Sequence, residues 1–152
     1  MNIVLYQPEI PHNTGAIGRT CLVAGAKLHL IHPLGFILSE KHLARAGMDY
    51  WDKIDVTEYT NFDDFLTKNT DAKIFLAETR GAIPYTEAKF ENNDFIVFGC
   101  ETKGLPNWML DQYADKIISI PMKKDSRSLN LSVTVGIILY EALRQTGFEG
   151  LI

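Results

Sequence analysis

Arg19 is the side chain here that most demands a chemical explanation. It sits one and a half turns into a segment that is otherwise small and apolar, among Ala16, Ile17, Cys21, Leu22 and Val23, a setting that leaves little solvent-facing surface. A guanidinium there should pair with something, and its fork of five donors suits a carboxylate or a phosphate. An ion pair to an internal Asp or Glu is the plain alternative. A second group is Gly99-Cys100-Glu101-Thr102-Lys103-Gly104-Leu105-Pro106, directly after an apolar run. Its glycines permit close backbone approach or positive φ. Glu101 between them can accept hydrogen bonds from a ligand or merely cap the next helix. The run Ala77-Glu78-Thr79-Arg80-Gly81 ends another strand in the same way. A third group is Ser128, Asn130 and Ser132 at the head of the apolar run Val133–Leu139, where small polar side chains cap helices. A polar loop between a core strand and a buried helix is where α/β proteins commonly place a ligand, although an ordinary well-capped core helix explains the same residues.

Several chemistries are missing. Asn13, Gly15 and Gly18 follow the first strand without the G-x-G-x-x-G of a dinucleotide fold, and His32-Pro33-Leu34-Gly35 stands where its acidic ribose partner should be. There is no Gly-Lys-Ser/Thr phosphate loop and no Gly-x-Ser-x-Gly elbow. The two cysteines, Cys21 and Cys100, and the four histidines, His12, His29, His32 and His42, have no metal-ligand spacing, so no metal is expected. Both cysteines sit in apolar surroundings, as buried thiols of a reducing cytoplasm would.

Elements able to position these groups are legible in the punctuation. The chain has 152 residues, 46% of them hydrophobic and 22% charged, with a net charge of −4. That suits one soluble domain over residues 1–152, and no apolar run reaches the roughly 18 residues of a membrane span. The N-terminus lacks the basic start of a secretory signal, so a cytoplasmic location is expected. Strands are predicted at Asn2–Tyr6, Lys27–His32, Ile54–Tyr59, Lys73–Glu78, Asp94–Cys100 and Lys116–Ile120. Helices are predicted at Thr14–Ala24, Glu40–Ala46, Phe62–Lys68, Pro106–Gln112 and Leu131–Thr146, with Asn13 capping the first and Gly25 ending it. His29 alternates within its strand and should face solvent or a polar contact. Alternating strands and helices imply an α/β fold, a mainly parallel sheet with helices on both faces.

Taken in order, Asn13-x-Gly15-x-x-x-Arg19-Thr20, then Phe98-Gly99-x-Glu101-x-x-Gly104-Leu105-Pro106, then Ile120-Pro121-Met122 with Ser128-Leu129-Asn130-Leu131-Ser132 resemble the three motifs of the SPOUT RNA methyltransferases. The match spans nearly the whole chain. Its start, Asn2-Ile3-Val4-Leu5-Tyr6-Gln7-Pro8-Glu9-Ile10-Pro11, resembles the branch that methylates the ribose 2′-hydroxyl of cytidine or uridine at the tRNA wobble position. The resemblance implies a C-terminal trefoil knot holding S-adenosylmethionine, which leaves as S-adenosylhomocysteine. It assigns the cofactor to Ala77, Glu78, Thr79, Gly99, Glu101, Gly104, Ile120, Met122, Ser128 and Leu129, with adenine against main-chain groups of Ile120 and Met122. It makes Arg19 and Asn130 catalytic, and Asn13, Arg19, Lys103 and Arg127 contacts for the anticodon stem-loop of tRNA. It also implies a homodimer built on the first and last helices.

A positive face on a chain of net charge −4 would have to be local, from Lys103, Lys123, Lys124 and Arg127, with Lys41 and Arg45 nearby. Tyr6, Phe36, Tyr50 and Trp51 are candidates for stacking on an unpaired base, although core packing accounts for each equally. The rivals are a ribose methyltransferase acting on another RNA such as ribosomal RNA, a non-catalytic cofactor- or RNA-binding module, and a nicotinamide oxidoreductase.

Overall fold

The computed structural model describes residues 1–39, 41–42, 48–81 and 83–152. Strands are β1 (Asn2–Tyr6), β2 (Lys27–Ile31), β3 (Val56–Tyr59), β4 (Ile74–Ala77), β5 (Ile83–Pro84), β6 (Phe95–Phe98) and β7 (Ile117–Ser119). Helices are α1 (Pro11–Ala24), α2 (Phe62–Lys68), α3 (Asn107–Gln112) and α4 (Leu131–Gln145). The predicted helix Glu40–Ala46, and with it Arg45, falls largely outside the described residues. Among those described, the strands form one seven-stranded sheet in the order β3-β2-β1-β6-β4-β7-β5, and every pairing is parallel.

Alternation along each strand builds two cores. Ile3, Leu5, Leu28, Leu30, Phe75, Ala77, Ile96 and Phe98 point to one face and meet Ile17 and Cys21 of α1 and Val135, Ile138 and Leu139 of α4. Val4, Ile31, Ile74, Leu76 and Val97 point to the other, against Phe62 and Phe65 of α2 and Met109 of α3. Sheets covered on both faces need continuous apolar strands, which is why these runs were legible. Burial pushes the Cys21 thiol up to about 12, so it packs as a hydrophobe rather than reacting as a thiolate.

Most strands are one or two residues shorter at an end than expected, and four further features differ for physical reasons. Helix α1 begins three residues early, because Pro11 takes the first helical position after an extended Ile10. Asn13 is therefore inside the helix, and its side chain is spent elsewhere. Strand β5 is two residues long and contains a proline, so no periodicity announced it. Pro106 precedes α3 at the N-cap instead of opening it. The Val133–Leu139 run is not buried all round: Val135, Ile138 and Leu139 are buried, while Val133 and Tyr140 of the same helix are exposed. The other caps follow the sequence. Asn61 accepts from Asp64 N, Asn130 accepts from Ser132 N, and Gly25 ends α1 at φ +64.

His29 is buried, with 5% of its surface exposed, and meets polar contacts, not solvent. Asn2 Nδ2 donates to Asn93 O, which leaves Asn2 Oδ1 as an acceptor for His29 Nε2 at 3.2 Å. Tyr59 receives Asn69 Nδ2 on its hydroxyl oxygen and lies 2.9 Å from His29 Nδ1. The assignment that satisfies every group puts the proton on Nε2 and has Tyr59 O–H donate to Nδ1. Desolvation pushes the imidazole down to about 4 from its ordinary 6.5. The unfolded chain therefore binds the extra proton first. Stability is complete above about pH 6.5 and falls between there and about pH 4, by roughly 3 kcal/mol from this group. An NMR titration should show the His29 ring neutral at pH 5.5, and a midpoint near 6.5 would refute this.

Candidate active site

Strands β1 and β6 are neighbours, but the chain leaves them toward opposite faces: α1 packs on one core and α3 on the other. Such a divergence opens a crevice at the carboxyl ends of the strands, where open α/β sheets bind ligands. Two carboxylates lace the loops across it. Glu101, from the β6 loop, accepts from Glu9 N at 2.8 Å, Ile10 N at 3.2 Å and Asn13 Nδ2 at 3.0 Å. Glu9, from the β1 loop, accepts from Thr102 N at 3.0 Å and Thr102 Oγ1 at 2.9 Å.

The lacing continues into the C-terminal motif. Asn130 Nδ2 donates to Asn13 Oδ1 at 3.0 Å, and Asn130 Oδ1 accepts from Ser132 N and Ser132 Oγ. One hydrogen-bonded chain thus joins Glu101, Asn13 and Asn130, residues from three motifs 88 and 117 positions apart. Asn13 is buried, so its bonds should be worth more than surface ones. Removing the Glu101 carboxylate orphans three donors at once. For Glu101→Ala we expect a loss of about 2–3 kcal/mol, less than three full desolvation penalties because Glu101 is half-exposed. That corresponds to a drop in Tm of roughly 5–10 °C, and an unchanged Tm on calorimetry would show the lacing to be idle.

A second junction lies beside the first. Glu78, just past β4, accepts from Leu105 N at 2.8 Å with Oε1 and from its neighbour Thr79 N with Oε2. A Cβ on Gly104, whose φ is +66, would stand 2.8 Å from that Oε1, and a Cβ on Gly81 would stand 2.6 Å from the Ile118 carbonyl carbon. Ser119 Oγ donates to Gly81 O. The loops after β4 and β6 therefore meet, and Gly81, beyond β4, packs against β7.

The stretch from Ile120 to Leu129 has the character of a ligand surface. Its one backbone–backbone hydrogen bond among the described residues runs from Ser126 N to Lys123 O. Among the described residues no hydrogen bond takes up the N–H and C=O groups of Ile120, Met122, Ser128 and Leu129, and Leu129, next to Ser128 in the chain, leaves 40% of its surface exposed. Open main-chain groups next to a bare apolar side chain fit a flat nitrogenous ring with hydrogen-bonding edges.

The residues singled out in the sequence divide into two groups. Glu78, Gly99, Glu101 and Gly104 lie in the loops after β4 and β6, with Ala77 at the end of β4 and Asn13 of α1 and Asn130 at the head of α4 bonded in beside them, and Thr79 and Lys103 are exposed on those loops. Ile120, Met122, Ser128 and Leu129 lie on the open stretch after β7, with Arg127 exposed among them. Arg19 stands apart from the network, six residues beyond Asn13 on α1, roughly 9 Å along the axis and a third of a turn around it. It is exposed, contrary to the enclosed setting its neighbours suggested, because only one side of α1 is buried. Among the described residues no Asp or Glu pairs with it. Its guanidinium lies over the Tyr50 ring, 5.8 Å from the centroid. Glu9 escaped the sequence reading as a carboxylate in a loop with no cation in view, while Tyr50, expected to stack on a base or pack in the core, faces a side chain 31 positions away. No group of three or more potential metal ligands is assembled among the described residues.

A family model described as the SpoU rRNA Methylase family matches residues 1–140. The tRNA (cytidine(34)-2′-O)-methyltransferase of Escherichia coli K12 is 44% identical over 151 residues, covering 99% of this chain and 96% of that one. A structure solved to explain the 2-OH methylation of C/U34 on tRNA superposes with a TM-score of 0.89 at 44% identity, covering 96% of this chain and 95% of that one. An AdoMet-bound rRNA methyltransferase from Sinorhizobium meliloti superposes with a TM-score of 0.80 at 27% identity, over 94% of this chain and 55% of the other.

Proposed function

The chain belongs to the SpoU methylase family, and on that premise we propose that it transfers a methyl group from S-adenosylmethionine to the ribose 2′-hydroxyl of the cytidine or uridine at the wobble position of tRNA. The observation that carries the reading is the chain of hydrogen bonds through Glu101, Asn13 and Asn130, because it ties the three motifs into one crevice in a protein that matches the tRNA enzymes along its full length.

The cofactor supplies a methyl group already activated on a sulfonium centre. The residues present fit it: open main-chain groups from Ile120 to Leu129 for the adenine, Leu129 to cover the ring, and the packed turns at Ala77–Thr79 and Gly99–Gly104 as walls. A preactivated donor leaves the protein chiefly with alignment, which alone can supply several kcal/mol. The guanidinium of Arg19 is a fork of donors with no acceptor, so it cannot serve as a base. Its role is to grip the phosphate beside the target ribose and to stabilise negative charge growing on the 2′-oxygen. Asn130, fixed by Asn13 and Ser132, orients the ribose. Lys103 and Arg127, both exposed, meet the phosphates of the anticodon stem-loop. If they do, affinity for RNA should fall steeply with salt.

The protein acts as a cytoplasmic homodimer through α1 and α4. In support, α1 and α4 share one core, yet Val23 on α1 leaves 63% of its surface exposed, and Val133 and Tyr140 on α4 are bare as well. No helix among the described residues is long and apolar enough to cross a membrane. The trefoil knot implied by the family accords with β7 lying between β4 and β5, whose short link crosses its end.

The test is methyl transfer from radiolabelled S-adenosylmethionine into unmodified tRNA, cellular tRNA and ribosomal RNA, with the labelled nucleotide mapped. Label on the wobble ribose is the expected result. Label only in ribosomal RNA would move the substrate while leaving the chemistry intact, and label on a base would overturn both.

A further inference from the structure

We propose that Tyr50 is the positioning residue for Arg19, holding the guanidinium over its ring so that the N–H donors stay available to RNA; this rests on the role of Arg19 given above. The distance of 5.8 Å from Arg19 Cζ to the ring centroid lies within the roughly 6 Å reach of a cation–π contact. The choice of an aromatic face over a carboxylate has a chemical consequence. A bidentate carboxylate would consume two of the five donors and cancel the charge. A ring face restrains the group without doing either.

Tyr50 is suited to the task because it is referenced to the same helix as Arg19. Its hydroxyl donates to the carbonyl of Gly15 at 3.0 Å, one turn before Arg19, and its half-buried ring packs against the core shared by α1 and α4. Helix and ring therefore move together. The glycines of α1 make the arrangement possible. A Cβ on Gly15 would stand 2.6 Å from Met48 Sδ, and one on Gly18 would stand 2.7 Å from Ile54 Cδ1 and 3.0 Å from Trp51 Cζ3. These two glycines, which fall short of a dinucleotide fingerprint, form a flat strip onto which Met48, Trp51 and Ile54 press. That docking delivers Tyr50 to the arginine. It also gives Tyr50 a use other than stacking on a base.

The measurement is steady-state methyl transfer to tRNA for Tyr50→Leu, Tyr50→Phe, Arg19→Ala and the double variant Arg19→Ala/Tyr50→Leu. Tyr50→Leu should lower kcat about five- to tenfold, the range of a partly desolvated cation–π contact, with KM for S-adenosylmethionine within twofold of the parent. Tyr50→Phe, which keeps the ring, should recover most of kcat. In the Arg19→Ala background the Leu substitution should cost nothing further. The proposal falls if Tyr50→Leu leaves kcat intact, if Phe is as poor as Leu, or if Leu costs as much without Arg19 as with it. Full activity of Arg19→Ala would instead overturn the role of Arg19 itself, a result distinct from each of these.

Discussion

Replacing Arg19 by lysine should lower kcat for tRNA methylation by about a hundredfold while leaving S-adenosylmethionine binding near its original strength. The magnitude is that of losing one well-aimed donor at a site of developing negative charge. Lysine keeps the charge but loses the planar fork, so it cannot hold a phosphate with two parallel bonds and also reach the ribose oxygen. Arg19 lies outside the network of Glu101, Asn13 and Asn130 and is exposed, so the substitution should not disturb the fold. That separation makes the experiment clean. Turnover within threefold of the parent would mean that the guanidinium serves only as a positive charge.

Gly99→Ala should be the most damaging single methyl group in the protein. A Cβ there would fall on the backbone of Gly104 and the Leu105 amide, with Gly104 Cα only 2.6 Å away. Flexible side chains can step aside, but these are main-chain atoms already fixed by the bonds from Leu105 N to Glu78 and from Gly104 N to Cys100 O. Relief requires moving the whole β6 loop, and with it the Glu101 carboxylate. Overpacking usually costs 1–3 kcal/mol, and the stiffness of this site argues for about 3 kcal/mol or more. Denaturant unfolding and cofactor binding should both register the change. A loss below about 1 kcal/mol would show that the approach of Gly99 to Gly104 is not tight.

How far the site could be read in advance depended on the range of each contact. Strands such as β1 and β6 announced themselves because both of their faces are covered, and the caps at Asn61, Asn130 and Gly25 are local events with local signatures. Asn13 was misplaced because its residue type suits a cap, whereas its side chain answers to Glu101 and Asn130, far away in sequence. Arg19 was taken to be enclosed because its neighbours in the chain are apolar, yet α1 turns it outward toward Tyr50. The order of the strands had no local trace at all. Periodicity can say that β7 is a strand, but its place between β4 and β5 follows from which edges remain open when it arrives.

The placement of β7 has a consequence for how the protein is made. Strands β4 and β5 leave the ribosome together, but the strand that fills the gap between them starts at Ile117, well after Pro84. At ordinary synthesis rates that interval lasts roughly two to seven seconds. Throughout it the apolar strand β4 presents an unpaired edge, the kind of surface that recruits a neighbouring nascent chain. Sheet completion thus waits on residues 117–119, and slow codons between β5 and β7 would lengthen the period of exposure without altering a single residue.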